Sequence, residues 1–278
     1  MAKGIGLIGN FRGKVGNMVG YNLKDSNNKQ TQGVRVYQPI VKNPKTYAQA
    51  EQRAKLAPIN ATYRALKMVI DRGQEGKAYG NKSRLAWLSE AMKAGECPWF
   101  VKGSTVNLPV LAPISNGSLA FPQTAAVNPA FIRWGFHGEI ATAPTTIGSL
   151  SVALLTGQSQ IKEGDQMTFI IITNDATGMS TEIASIVIDS TDNSPIPEGF
   201  SVDTSLLKFE GSGDEIKAGA IILSRTNSNG EHLRSRSFIS LSSGYDGTEY
   251  EDAAKEAAIK SYMSGGSNTD WAEESIQG

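Results

Sequence analysis

The sequence contains one cysteine, Cys97, and two histidines, His137 and His232, in 278 residues. A single cysteine excludes an internal disulfide and any cysteine-rich metal site. Two histidines with no H-x-x-x-H partner cannot complete a zinc site. No apolar run approaches the ~20 residues that a membrane-spanning helix requires, so no membrane insertion is expected. Lys3 precedes a glycine-diluted run (Ile5, Leu7, Ile8) too short for the core of a secretion signal. Position 2 is Ala2, where myristoylation requires glycine. These shortages predict a chain folded in a reducing compartment, cytoplasmic or carried in a virion, without metal or cofactor.

What is present is charge, and it is sorted along the chain. Residues 1–72 hold thirteen Lys/Arg against three acids (Asp25, Glu51, Asp71), whereas residues 101–278 hold ten Lys/Arg against twenty-one Asp/Glu. The formal net charge of zero therefore joins a region of +10 to one of −11. Such asymmetry points to a basic arm that meets a polyanion or an acidic partner surface.

The pattern predicts an α+β chain in five parts. Residues 1–42 read as a glycine-rich basic arm or β-ribbon, with Met18, Tyr21, Leu23, Val34 and Val36 as strand formers around a polar turn at 25–29. Residues 43–97 read as helical. Asn43-Pro44 supplies a helix start, and Leu56, Ile59, Tyr63, Leu66 and Ile70 recur as one bulky face. Ala50, Ala54, Ala57, Ala61 and Ala65 form a second stripe on the opposite side, a candidate helix-packing interface. Pro58 raises the alternative of a kink or two abutting helices. A second helix at about 82–94 would bury Leu85, Leu88 and Met92.

Five prolines in 98–130 suggest an extended surface linker. Residues 131–245 carry strand patterns at 131–137, 149–156, 166–173, 182–189, 205–210, 218–226 and 232–242. Seven short strands favour an immunoglobulin- or fibronectin-like sandwich. Met167–Ile172 and Ile183–Ile188 are its expected central strands, and Asn229-Gly230 marks a hairpin. Residues 246–278 read as an acidic tail with a short helix at 251–263; Trp271 within it is an apolar anchor without a local core.

No motif names a reaction. Gly4-Ile-Gly-Leu-Ile-Gly9 matches a dinucleotide-binding string, but it follows no strand and opens no helix. His137 and His232 read as structural or solvated, and Cys97, beside Pro98 and Trp99, as a small buried hydrophobe. Asp189, Asp192, Asn193 and Glu198 lack the spacing of a calcium loop. No acid, base and nucleophile set assembles, so an enzyme is not expected. The basic segment is the remaining feature. Arg12, Lys14, Lys24, Lys29, Arg35, Lys42, Lys45 and Arg53 are interleaved with Phe11, Tyr21, Tyr37 and Tyr47. Cations bind phosphates and rings stack on bases; Arg64 and Lys67 extend the basic strip.

The strings FRGKVGNMVGY, VRVYQP and KNPKTYAQAEQRAKLA resemble the N-terminal signature of an uncharacterised family of Bacteroidota-type bacteria and their phages. That family pairs the signature with a C-terminal β-sandwich. Asn43, Pro44, Thr46, Gln49 and Arg53 are similar to segments of small phage head- or tail-associated proteins. The expectation is a non-enzymatic assembly protein of a virion or surface structure, forming homo-oligomers or joining other structural subunits. The alternatives are a single-stranded nucleic-acid-binding protein and an adhesion or carbohydrate-binding module, for which Trp134 is the candidate exposed aromatic.

Overall fold

Alternation of side chains along strands dictates the smaller of two units into which the chain divides, Met1–Lys45 and Thr46–Gly278. The computed structural model describes residues 13–24, 30–37, 46–93, 96–120, 125–135, 144–157, 160–175, 178–203, 206–211, 214–245 and 247–264. In the first unit, β1 (Gly13–Val15), β2 (Met18–Lys24) and β3 (Gln30–Val36) form an antiparallel sheet in the order β1-β2-β3. Its register pairs Met18 with Val36 and Gly20 with Val34. The Tyr21 ring lies directly over Gly33, where a Cβ would stand 2.6 Å from its tip and push the ring aside. The polar turn at 25–29 lies outside the described residues.

The second unit begins with α1 (Tyr47–Ala65), α2 (Lys67–Ile70) and α3 (Asn81–Lys93). Thr46 caps α1, its side chain accepting from the Gln49 N–H; the expected start at Asn43-Pro44 lies outside the described residues. Pro58 does not divide the helix. The Thr62 hydroxyl donates to the Pro58 carbonyl at 2.8 Å and accepts from the Val110 N–H at 3.0 Å. The bulky face is buried through Ile59, Leu66 and Ile70, but Leu56 stands at its exposed margin. In α3 the buried side is Ser83, Trp87 and Ala91, with Leu88 and Met92 partly covered, and Leu85 is exposed. The expected face was rotated because Trp87, the largest side chain of the helix, takes the centre.

After α3 the chain forms β4 (Pro113–Ser115), β5 (Ala125–Val127), β6 (Phe131–Gly135), α4 (Ile147–Gly157), β7 (Gln166–Asp175) and β8 (Gly178–Val187). Next are β9 (Phe200–Asp203), β10 (Leu206–Glu210), β11 (Ala218–Thr226), β12 (His232–Arg234), β13 (Ser237–Phe238) and β14 (Ser240–Leu241). A 3-10 turn (Thr248–Tyr250) leads into α5 (Asp252–Ser264). The class is α+β, as expected. One sheet runs β5-β6-β10-β9; a second runs β12-β11-β7-β8, with β14 also on β11.

The second sheet separates two cores. Met167, Phe169 and Ile171 of β7, with Ile221 and Leu223 of β11, face the first sheet and α4. Ile170 and Ile172, with Ala218, Ala220 and Ile222, face α1 to α3. Register enforces the sorting, since opposite residues share a face: Phe169 pairs with Ile221, and Ile170 with Ala220. Gly219 pairs with Ile171, and a Cβ there would meet Ile132 of the first sheet at 2.8 Å.

Several expectations need correction. Residues 149–156 are helical, not a strand. Leu150, Ser151 and Leu154 bury one helical side, and Thr146 and Ser149 exchange capping bonds of 3.2 Å at the start. Residues 232–242 are three short strands, because the Ser235 and Ser237 side chains bind backbone of β11 at Leu223 and Ile221. β8 is an edge strand rather than a central one. The stretch expected as a surface linker buries Leu108, Val110, Ala112 and Ile114, so the helices and the β region share a core across it. The Asn229-Gly230 hairpin forms as read. Asn227 organises it by accepting from the Asn229 and Glu231 N–H groups at 3.0 and 2.9 Å.

A strand packed on both faces makes a direct prediction. Ile170→Ala and Ile171→Ala point to different cores, yet each should cost about 2–5 kcal/mol. Urea unfolding of the two variants checks this; a near-neutral result at either position would remove one of the two cores from the account.

Candidate functional site

Two surfaces collect the residues singled out from the sequence. The first is the N-terminal sheet. Pairing of Val19 with both Lys14 and Arg35, and of Tyr21 with Gly33, sets these residues on one face; Met18, Val34 and Val36 occupy the other. Lys14 Nζ sits 3.5 Å from the centre of the Tyr37 ring, a cation–π contact. Lys14 and Arg35 are exposed. Lys24 ends β2, opposite Gln30. Arg12, Lys29, Lys42 and Lys45 lie outside the described residues, as does His137.

The second surface is α1. The expected alanine interface is split along its length. Ala50 and Ala54 are buried, and Ala54 packs with Trp99 and with Ala258 of α5. This end of the stripe is therefore occupied by a helix of the same chain, and a second subunit cannot use it. Small side chains permit the close approach. Glu51 clamps it through Lys255 at 3.1 Å, and the hydrogen bond that the Lys255 ammonium donates to Glu51 raises the Lys255 pKa. Lys55 and Lys255 also lie over the Trp99 ring, at 5.8 and 5.4 Å.

The other end of the stripe is open. Ala57, Ala61 and Ala65, with Asn60 and Arg64, form one wall of a groove of ≈ 510 Å³. The opposing wall is the 103–106 loop and Met179 of β8. The Thr181 hydroxyl donates to the Ala65 carbonyl at 2.9 Å and fixes β8 to the end of α1. Gly178 has φ +131 and brings the Val106 carbonyl to 3.1 Å from where a Cβ would stand. Arg64 and Lys67 are exposed, whereas Arg53 is half-buried. The basic strip is thus brought together only in part.

Other singled-out residues have structural surroundings. Cys97 is buried in the helix-side core, and burial pushes its thiol up to about 12. His232 is exposed, with Nδ1 3.0 Å from the Thr226 hydroxyl. Asp189 accepts from the Thr191 hydroxyl and N–H at 2.7 and 2.8 Å, which lowers its pKa. Asp192 accepts from the Ser194 N–H at 2.8 Å. These carboxylates close local turns, and among the described residues no set of His, Cys, Asp or Glu converges as metal ligands. Trp134 is buried in the inter-sheet core, so it cannot act as the exposed aromatic of a carbohydrate site. Likewise, no helix among the described residues is long and apolar enough to cross a membrane.

Two carboxylates that the sequence did not flag hold the second unit together. Asp165 is fully buried and receives Arg225 through Nε at 2.6 Å and Nη2 at 2.7 Å; the same Nη2 reaches the Gln160 carbonyl. The hydrogen bonds that Arg225 donates to Asp165 raise the Arg225 pKa. Glu75 accepts from Ser118 N–H, Ser118 hydroxyl and Arg234 N–H at 2.8–3.0 Å, tying the loop after α2 to two remote segments. Desolvation opposes ionisation of Glu75, but these three donors outweigh it and lower its pKa. The pairing of residues 60 positions apart in one case and 159 in the other leaves no local signal in the chain. Compared with protein-family models, curated proteins and solved structures, the chain matches none.

Two tests follow from this chemistry. Because the folded Glu75 pKa is depressed, its stabilisation is complete above the unfolded carboxylate pKa and disappears as pH falls through the folded value. Glu75→Gln should therefore have a lower urea midpoint than the native chain near pH 7, with the gap closing as pH falls below ~4.3. Cys97 should resist a thiol reagent at pH 8 in the native chain and react at once when unfolded; rapid labelling of the native protein would contradict its burial.

Proposed function

We propose that the protein is a non-enzymatic assembly component of a virion or a surface structure, gripping a neighbouring subunit through its N-terminal sheet. One observation carries this reading. Met18, Val34 and Val36 are 41, 42 and 71% exposed, and register sets all three on one face of a small three-stranded sheet. A thin sheet with an uncovered apolar face gains by covering it. Burying these side chains would contribute about 1 kcal/mol each, given their partial coverage already. The charge split supplies orientation: residues 1–45 hold eight Lys/Arg against one acid, Asp25, and would be steered toward an acidic surface such as the remainder of another copy. Contacts of this head-to-tail type build rings or filaments.

The resemblance of the N-terminal strings to phage head- and tail-associated segments agrees with this role. In the same reading, the two facing sheets of the second unit act as a sandwich in the immunoglobulin or fibronectin manner, presenting loops outward while the first unit makes contact. A second reading is supported by the opposite face of the N-terminal sheet. Lys14 over Tyr37, with Arg35 and Tyr21 on the same side, offers cations beside rings, the combination that holds single-stranded nucleic acid.

Light scattering separates the two. The native chain should associate at low salt and high concentration, and Val34→Asp with Val36→Asp should return it to a monomer. A native chain that stays monomeric under those conditions would remove the assembly reading. If the cation-bearing face binds single-stranded DNA, log affinity should fall with log salt, and Lys14→Glu with Arg35→Glu should abolish the gel shift while the valine variants retain it.

A further inference from the structure

Two strands, β3 in the first unit and β8 in the second, each stand last in their sheet. The bonds just past each strand fix which of its backbone groups turn outward. The Tyr37 N–H donates to the Asn17 carbonyl, and the Ile188 N–H to the Asp165 carbonyl, both at 2.7 Å and in register with the ladders. Antiparallel pairs alternate between bonded and non-bonded, so odd residues of β3 and even residues of β8 are bonded within their own sheets. The N–H and C=O groups of Gln30, Gln32, Val34 and Val36 therefore point outward, as do those of Met179, Thr181, Ile183, Ser185 and Val187. Among the described residues no backbone group meets either row. β8 runs ten residues with no bulge, proline or lysine to blunt its edge.

We propose that β3 of one copy adds antiparallel to β8 of the next and continues its sheet. This inference rests on the assembly reading above and names the surface that the N-terminal sheet grips. Outward residues of one strand can bond only outward residues of the other, so even residues of β3 must stand opposite odd residues of β8. That phase, set by the backbone alone, also sorts the side chains. Val34 and Val36 come to the face of Ile183 and Val187, which are 42 and 49% exposed, and Arg35 comes to the face of Glu182. With Val34 opposite Ile183, Arg35 stands directly opposite Glu182 and Val36 opposite Thr181. Apolar and opposite-charge pairs at such positions both favour pairing. A shift of two residues keeps the phase but sets Arg35 against Ala184 or Ser180, without the charge match. Joining unlike strands makes the contact head-to-tail.

Arg35 and Glu182 would form a non-bonded pair with Cα atoms about 4.5 Å apart, within reach of a disulfide. Two full-length variants, Arg35→Cys and Glu182→Cys, are purified apart, mixed at low salt and oxidised; Cys97 is buried and stays out of the reaction. The mixed disulfide dimer should form several-fold faster than dimers of either variant alone. It should also outpace the mixture in which Ser180→Cys, two residues out of register, replaces Glu182→Cys. Because the partners are separate chains, no contact within one chain can give the product. Ser185→Pro removes an outward N–H and leaves the bonds to β7 in place, so light scattering should show its association weakened about tenfold. A native chain that never associates removes the assembly reading and this one with it. A native chain that associates but gives no mixed disulfide, traps Ser180→Cys equally well, or is unmoved by Ser185→Pro overturns the strand pairing and leaves that reading standing.

Discussion

The strand Gln166–Asp175 is covered on both faces, and the rest of the second unit depends on that. A strand in this position must be apolar at successive residues, and it has to be placed between two hydrogen-bonded neighbours before either face can be closed. β8 and β11 provide the neighbours. The first sheet and α4 close one side; α1 to α3 close the other. Both covering layers pack on the same run, Met167–Ile172, through its alternate residues.

Fastening between layers is polar and local. Thr62 anchors the 108–115 stretch to α1, and Glu75 draws together three segments that the cores alone would leave free to slide. The Asp165–Arg225 pair fixes the loop before β7 to the end of β11. Each of these groups is multiply bonded. A buried carboxylate with all its bonds made contributes to a single arrangement, whereas one with bonds missing would favour unfolding.

Much of this was legible in the sequence, and the misses have physical causes. Strands β7, β8, β10 and β11 announced themselves through apolar runs with turn residues between them, and the Asn229-Gly230 hairpin through its need for a left-handed residue. α4 did not, because GSLSVALL fits a strand or a helix equally; only burial of Leu150 with Leu154 on one helical side decides. The 98–130 stretch was misread because proline count reports missing hydrogen-bond donors and says nothing about burial. The alanine stripe was read as a surface for a second subunit, but the helix that meets half of it comes from about 200 residues away in the same chain, a pairing that periodicity cannot reveal. On the N-terminal sheet, the strand formers were legible, but which of them share a face with Lys14 and Arg35 follows only from the register.

Cys97 has a practical consequence. With its one thiol sealed in the interior, the folded chain offers no sulfur for a disulfide to another molecule. The same seclusion makes the native background silent to maleimide dyes. A cysteine engineered at any outer position can then be tagged alone, which turns the folded chain into an addressable ruler for distance measurements.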